Sequence, residues 1–335
     1  MTIRMTRRGA LAAMGGTAAA ALAAPALAAQ TTKVGALRFT SHAASFVALE
    51  RGYFAEAGLD VEFEFFQAAQ PMAIAIASRD ADYAVTAISG GLLSLANKGA
   101  AKVVGGALRE EPGIDGQLIL ASNDAHAAGL TSPAALGGRT FGMTTAGSSF
   151  HYMGSKIAAA EGVDMSFKPL QKVGAVIGAL KSGQIDAWSI VPHIAKALAG
   201  GGGVQVIGKV SDYLPDYQVT TVFTSAENAA NDRGRTEAFL QAFSRGAADF
   251  NAALVDKTAG DAAAEDMVRL IHKYVYTDRP YEKAAPSIRN GAMRISADAA
   301  LNMASVQDQV SWFKAEGLVD SSVETLVDPS YVANA

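Results

Sequence analysis

The stretch Lys33–Phe65, KVGALRFTSHAASFVALERGYFAEAGLDVEFEF, contains the two kinds of regular pattern from which α/β folds are built. Its first residues, Lys33–Phe39, predict a strand, and apolar residues then recur at helical spacing over 46–54. Gly58 is placed to end that helix in a left-handed cap. Residues 61–65 alternate apolar and acidic side chains, which predicts a half-buried strand. The stretch therefore predicts a strand, a helix and a second strand in succession.

The same alternation of strand and helix continues along the chain. Helical patterns cover stretches such as Ser149–Glu161 and Ala175–Ser182, and the last hundred residues carry few strand signals. This alternation of strands and helices predicts an α/β fold in which parallel sheets are covered by helices. The further predicted strands are Tyr83–Ala87, Lys102–Gly106, Gln117–Ala121, Thr140–Met143, Ala187–Val191, Val204–Gly208 and Val219–Thr224.

A sequence pattern that occurs twice divides these elements into two similar lobes. Residues 77–85 and 181–189 share a helix end, a turn, an aspartate and a strand. We therefore expect each lobe to have its own small, mostly parallel sheet flanked by helices. Gln117–Ala121 and Val219–Thr224 are expected to cross between the lobes as a hinge, after which the chain returns to the first lobe for its helical tail. The predicted domains are lobe 1 at 29–118 and 222–335, and lobe 2 at 119–221.

The first residues have the pattern of a cleaved signal peptide. A positive region with Arg4, Arg7 and Arg8 precedes the mildly apolar run Gly9–Leu22, and Ala26-Leu27-Ala28 is an A-x-A site. Residues 1–28 are therefore predicted to direct export to the periplasm and to be removed. The paired arginines partly resemble a twin-arginine signal, so the export route stays open. An uncleaved membrane anchor is disfavoured because alanine partitions weakly into lipid.

Composition excludes several classes of protein. The 335 residues include 28 basic and 32 acidic side chains, so the formal charge is −4, and removal of the three leader arginines lowers it to −7. A chain with this net negative charge lacks the positive electrostatic field that attracts nucleic acid, so nucleic-acid binding is disfavoured. Cysteine is absent, which excludes disulfides, a thiolate nucleophile, an iron–sulfur cluster and a lipidated amino terminus. The five histidines lack metal-ligand spacing, so we expect neither a metal nor a cofactor.

Four turns after predicted strands are the candidate binding site, because open α/β sheets bind ligands beyond the carboxyl ends of strands. These turns, at 40–45, 86–91, 144–151 and 191–193, place hydroxyls, glycines or a histidine at helix amino termini, where free N–H groups favour an anion. Ser45, Ser89 and Ser149 are expected to hold an acid group. The alternative is that each hydroxyl is an ordinary N-cap. The candidate ligand-binding residues are Ser41, His42, Ser45, Ala87, Ser89, Gly147, Ser148, Ser149, His151, Trp188 and His193.

Aromatic side chains beside these turns supply an apolar wall for a carbon body. Phe39, Phe46 and Phe150 fit core positions of strands and helices better than ligand contacts. For Trp188 both interpretations stay open, since it stands near a strand end and could face either the core or a cleft.

Two segments carry a resemblance to a known family. Leu49–Val61 contains G-Y-F-x-x-x-G-L-x-V after a helix, and Leu180–Trp188 ends in D-A-W. Over about residues 33–320 the chain resembles the periplasmic substrate-binding proteins of ABC importers of the aliphatic-sulfonate, taurine and nitrate type, within the superfamily that includes thiamine-pyrimidine synthase. The resemblance implies a type II periplasmic binding protein with two lobes and two crossing segments. It also implies closure over a ligand and delivery to a permease with its ATPase.

The resemblance and the turns together predict a monomeric binding protein for a small organic anion, which is not an enzyme. Val191-Pro192-His193 departs from the sequence of the sulfonate binders at this position. The departure makes an aromatic carboxylate a candidate ligand in addition to a sulfonate. Nitrate and pyrimidines stay open as alternative ligands. One alternative is a cysteine-free enzyme on the same fold with His42 or His151 as base. The other is a sensor subunit, which the sequence does not distinguish from an importer component.

Overall fold

The computed structural model describes residues 31–332, so the predicted signal peptide at 1–28 lies outside the described residues. The strands are β1 (Thr32–Ala36), β2 (Val61–Phe65), β3 (Tyr83–Thr86), β4 (Ala101–Gly106), β5 (Leu118–Ser122), β6 (Thr140–Met143), β7 (Ser166–Pro169), β8 (Ala187–Ile190), β9 (Val204–Lys209) and β10 (Thr221–Ser225). The helices before β10 are α1 (Ala43–Glu50), α2 (Tyr53–Glu56), α3 (Ala69–Ser78), α4 (Gly90–Asn97), α5 (Asn123–Ala127), α6 (Ser149–Glu161), α7 (Val173–Lys181) and α8 (Pro192–Gly200). The helices after it are α9 (Ala226–Asn231), α10 (Arg233–Phe250), α11 (Asp261–His272), α12 (Tyr281–Arg289), α13 (Met303–Ala315) and α14 (Val323–Leu326).

These strands form two five-stranded sheets with the same topology. The first has the order β2-β1-β3-β10-β4, and the second has the order β7-β6-β8-β5-β9. In the first sheet β1 is parallel to β2 and β3, whereas β10 is antiparallel to β3 and β4. In the second sheet β6 is parallel to β7 and β8, whereas β5 is antiparallel to β8 and β9. Two similar α/β lobes are therefore present, as the repeated sequence pattern predicts. In each sheet all strands but one run in the same direction.

The chain passes between the two sheets at residues 107–117 and 210–220. The two segments lie side by side: the Glu110 N–H donates to the Tyr217 carbonyl at 2.9 Å, and Arg109 pairs with Gln218 in an antiparallel bridge. The sequence prediction placed the crossings a few residues too late. Residues 118–122 and 221–225 are buried and pair within the sheets as β5 and β10, so each crossing ends just before them.

Two further local predictions need correction. The helix predicted over 46–54 is broken into α1 and α2, because Gly52 adopts a left-handed conformation with φ of 76°. Gly58 takes the predicted left-handed conformation after α2, also with φ of 76°. The strand β7 was not predicted from the sequence, since it is an exposed edge strand with no apolar alternation.

The helices after β10 cover both lobes. Helix α10 lies directly on α1, where a Cβ on Gly246 would come within 2.2 Å of the Ala44 carbonyl oxygen. Helix α13 reaches the second lobe instead, since Asp308 accepts hydrogen bonds from the Tyr152 hydroxyl and from Lys156 on α6. The tail is thus shared between lobes and does not simply return to the first. Among residues 31–332, no helix combines the length and apolar character that crossing a bilayer requires.

Candidate functional site

A small cavity of about 50 Å³, the inner cavity, lies between the two lobes where the predicted turns meet. Its walls come from the turns after β1 and β3, from the start of α6, and from the ends of both crossing segments. Its apolar side includes Phe39, Phe150, Ile190 and Val191. The polar side chains that line it are Ser41, His42, Thr86, Gln117, Thr144, Ser148, Ser149 and Thr220.

A larger space of about 510 Å³, the outer groove, adjoins the inner cavity and opens to solvent. The two spaces share Leu37, Phe39 and Val173 in their walls. The outer groove is also formed by both lobes, with the end of β2 on one side and α7 and α8 on the other. Its remaining lining residues are Arg38, Phe65, Phe66, Gln67, Gly174, Ile177, His193, Ile194, Ala197, Leu198, Tyr276 and Arg279.

The lobes contact each other around these two spaces. The Gly90 N–H of the first lobe donates to the Gly147 carbonyl of the second at 2.9 Å. The Tyr276 hydroxyl donates to the carbonyl of His193 at 3.0 Å, which joins the helical tail to the start of α8. The lobes therefore touch around the inner cavity, an arrangement we call the closed form, and the outer groove beside it opens to solvent.

The histidines at the site are uncharged. Burial lowers the pKa of His42 to about 3, and burial together with the neighbouring His42 lowers the pKa of His193 to about 3. His42 Nδ1 accepts the Leu37 N–H at 3.4 Å, so the neutral ring carries its proton on Nε2. Because neither ring takes up a second proton between pH 5 and 8, these histidines act as neutral hydrogen-bonding groups.

His151 occupies a different position. Its Nδ1 accepts the Gly147 N–H at 3.2 Å, and its ring lies against Trp312 and Phe167. Burial lowers the pKa of His151, which disfavours a charged donor at this position as well. The side chain lines neither the inner cavity nor the outer groove.

The candidate serines divide between capping and cavity roles. Ser89 Oγ accepts the Leu92 N–H at 3.2 Å, and Ser148 Oγ accepts the His151 N–H at 3.4 Å, so both are N-caps. Ser148 nevertheless lines the inner cavity together with Ser149. Ser45 is buried within α1, and its Oγ has no hydrogen-bond partner.

Five of the predicted residues line the inner cavity, namely Ser41, His42, Ala87, Ser148 and Ser149. His193 lines the outer groove. Five others lie outside both linings, namely Ser45, Ser89, Gly147, His151 and Trp188, of which Gly147 contacts Gly90. Which of these residues touch a ligand stays a prediction.

Several residues that the structure brings to the site were not predicted as site residues. Gln117 ends the first crossing segment and lines the inner cavity, and its amide nitrogen is buried without a hydrogen-bond partner. Its position just before the apolar strand β5 was the available signal. Arg38 and Arg279 line the outer groove although they are 241 positions apart in the chain, so no local pattern connects them.

Comparison with known proteins gives one family and several similar folds. The family model described as NMT1/THI5 like matches residues 39–253. No curated protein matches the chain. Among solved structures, the chain is similar to the aliphatic sulphonate-binding protein SsuA of Escherichia coli, with a TM-score of 0.69, 17% identity, and coverage of 90% of this chain and 98% of that one.

Two further structures are similar over nearly the whole chain. The alkanesulfonate-binding protein SsuA of Xanthomonas axonopodis pv. citri, bound to MOPS, has a TM-score of 0.68 and 16% identity, with 91% and 98% of the two chains covered. The nitrate-binding protein NrtA of Synechocystis has a TM-score of 0.69 and 14% identity, with 88% and 83% covered. The predicted fold of a two-lobed periplasmic binding protein is thereby confirmed.

Proposed function

The chain belongs to the NMT1/THI5-like family, and from this premise we propose that it is the periplasmic solute-binding component of an ABC transporter. It binds a small organic anion, of the aromatic carboxylate or sulfonate type, and delivers it to the permease and its ATPase as a monomer. The observation that carries this proposal is the inner cavity, where turns from both lobes and both crossing segments meet around polar side chains.

The inner cavity suits an acid group because its donors are fixed and neutral. Ser149 begins the thirteen-residue helix α6, whose free N–H groups and dipole favour a negative charge. The unpartnered amide nitrogen of Gln117 is an independent, buried donor in the same wall. A bound carboxylate or sulfonate would satisfy such donors, and a buried donor without a partner is otherwise costly.

The carbon body of the ligand is accommodated on the apolar side of the cavity. Phe39 and Phe150 stand there with Ile190 and Val191, so an aromatic ring would be buried against apolar and aromatic surface. Because the inner cavity of about 50 Å³ holds little more than the acid group, these side chains contact the nearest part of the ring, and the rest of the body extends into the outer groove.

The lobes close around the ligand because the ligand contacts both of them. A ligand that binds donors on the α6 side and on the β1 side stabilises the closed form over the open form. The side-by-side crossing segments then act as the hinge about which the lobes close. The closed form presents one defined surface to the permease.

Binding without chemistry is favoured over the cysteine-free enzyme. A general base needs a pKa near the working pH, whereas burial holds the pKa of His42 at about 3. His151 Nδ1 is engaged with the Gly147 N–H, and its ring lies outside the inner cavity. His42 is therefore too weak a base, and His151 too far from the cavity, to abstract a proton from a ligand there.

A matched ligand panel tests the proposal by thermal unfolding. We expect benzoate and benzenesulfonate to raise the unfolding temperature of the mature protein, whereas the size-matched benzamide and benzenesulfonamide leave it unchanged. Nitrate and a pyrimidine complete the panel. Stabilisation by the amides as strong as by the acids, or by no anion at all, would refute an anion site.

Closure predicts a specific effect of Gly291→Ala. Gly291 follows α12 and lies against the start of α8, where an added Cβ would come within 2.2 Å of the His193 Cβ and 2.3 Å of its Cα. The methyl group would keep the lobes apart at a cost of about 1–3 kcal/mol. We therefore expect about tenfold to a hundredfold weaker binding of the most stabilising acid, measured by calorimetry.

The matched control is Gly234→Ala, because a Cβ on exposed Gly234 meets nothing within 4 Å. We expect this variant to bind like the wild type. Equal affinity of Gly291→Ala and the wild type would show that ligand binding does not need the closed contact at His193.

A further inference from the structure

The outer groove carries two arginines that have no acidic partner. Within residues 31–332, no carboxylate oxygen lies within 4.0 Å of either the Arg38 or the Arg279 guanidinium. Arg38 donates one hydrogen bond, to the Tyr274 carbonyl at 3.1 Å. Both side chains are exposed at the groove. Their remaining N–H groups are available to an acceptor.

Each guanidinium carbon lies over the face of an aromatic ring. The Arg38 guanidinium carbon lies 3.7 Å from the Phe65 ring centre, and that of Arg279 lies 4.6 Å from the Tyr276 ring centre. Stacking uses the faces of the planar cation and leaves its N–H edges for hydrogen bonds. Such an edge matches the two oxygens of a carboxylate or sulfonate.

The outer groove is lined by positively charged side chains, whereas the inner cavity is lined by uncharged ones. None of the residues that line the outer groove is Asp or Glu, and Phe39, Phe65, Phe66 and Tyr276 give it an aromatic wall. The inner cavity, in contrast, has no charged residue in its lining. The positive charge of the cleft is thus confined to its mouth, although the whole chain is acidic.

We propose that the outer groove is a second anion subsite, and that the ligand is an elongated aromatic diacid. One acid group lies in the inner cavity, the ring passes Phe39, and the second acid group binds Arg38 and Arg279. Leu37, Phe39 and Val173 belong to both walls, so the two spaces are adjacent and an elongated ligand would span them. This inference rests on the proposed function, since it assigns the first acid group to the same inner cavity.

Calorimetric titration with paired probes tests the second subsite. Terephthalate is compared with 4-carbamoylbenzoate, and isophthalate with 3-carbamoylbenzoate, because each pair differs only in whether one group is a carboxylate or a neutral carboxamide of similar size. We expect one diacid to bind about tenfold to a hundredfold more tightly than its amide partner, the range for a charge-assisted hydrogen bond. Arg38→Gln and Arg279→Gln should each lower the affinity for the diacid by a larger factor than the affinity for its amide partner.

Arg269→Gln is the matched control, since Arg269 is also exposed and stacks on an aromatic ring, Tyr281 at 4.1 Å, but lies outside both spaces. Monoacids that bind as tightly as both diacids would overturn the inference and leave the proposed function intact. Loss of benzoate affinity in Arg38→Gln would also overturn it, by placing the single acid group at the groove. Failure of every acid to bind would remove the proposed function and the inference together.

Discussion

Replacing Trp188 by alanine is expected to lower the free energy of unfolding by about 3–5 kcal/mol, the usual cost of deleting a buried aromatic side chain. Trp188 lies in β8 at the centre of the second lobe and is 0% exposed. Its ring packs against Phe150 with the ring centres 5.2 Å apart. Truncation would leave a large cavity in a sheet that is covered on both faces. The position therefore belongs to the core of the lobe.

Denaturant unfolding of the ligand-free protein measures this effect. The control is Ile74→Ala, because Ile74 is 55% exposed and its truncation should change stability by less than about 0.5 kcal/mol. If Trp188→Ala were as stable as the wild type but bound acids poorly, Trp188 would be a ligand contact of a looser cleft and not a core residue.

Replacing Glu110 by glutamine is expected to stabilise the protein by about 3 kcal/mol at pH 8.5 and to have little effect near pH 4. Glu110 lies in the first crossing segment and is 1% exposed. Burial raises the pKa of its carboxyl from 4.5 to about 7. One carboxyl oxygen accepts the Gln117 N–H at 2.9 Å, and the other is buried without a partner beside Tyr217.

The direction of the pH dependence follows from that raised pKa. A carboxyl whose pKa is higher in the folded state than in the unfolded state contributes its full stability below the unfolded value of 4.5. That contribution is lost as the pH rises through about 7, where the buried group ionises. Glutamine keeps the shape of the neutral acid and cannot ionise, so the variant retains the stability that the wild type loses.

Chemical denaturation at pH 4 and pH 8.5 checks this prediction. The control is Glu64→Gln, which replaces an exposed glutamate on β2 and should change stability by less than about 0.5 kcal/mol at both pH values. The quantity to compare is the difference in the free energy of unfolding between Glu110→Gln and the wild type. If this difference were the same at pH 8.5 as at pH 4, the crossing segment would solvate an ionised carboxylate, and the prediction would be wrong.

Most of the fold was predictable because its strands are buried. Strands such as Tyr83–Thr86 and Ala187–Ile190 are apolar runs bounded by turns, and the sequence places them within one or two residues. Ser166–Pro169 was missed because an exposed edge strand needs no apolar pattern. The break at Gly52 was missed because helical spacing continues across it. The family resemblance drawn from Leu49–Val61 is confirmed.

The site was predictable only in part. The turns at Ser41 and Ser149 follow strands, so sheet topology alone brings them to the inner cavity. The charge of the histidines was not predictable, because burial of His42 is a tertiary property. Arg38 and Arg279 line the same groove only after the helical tail folds over the first lobe, so no sequence pattern links them.

The position of a bound acid in a crystal structure tests the central claim most directly. The mature protein is crystallised with the acid that raises its unfolding temperature most. We predict that one acid group lies within hydrogen-bond distance of the Gln117 amide nitrogen and the first N–H groups of α6, with Gly90 and Gly147 in contact. An acid bound elsewhere while the inner cavity stays closed and empty would contradict the proposed binding of anions between the lobes.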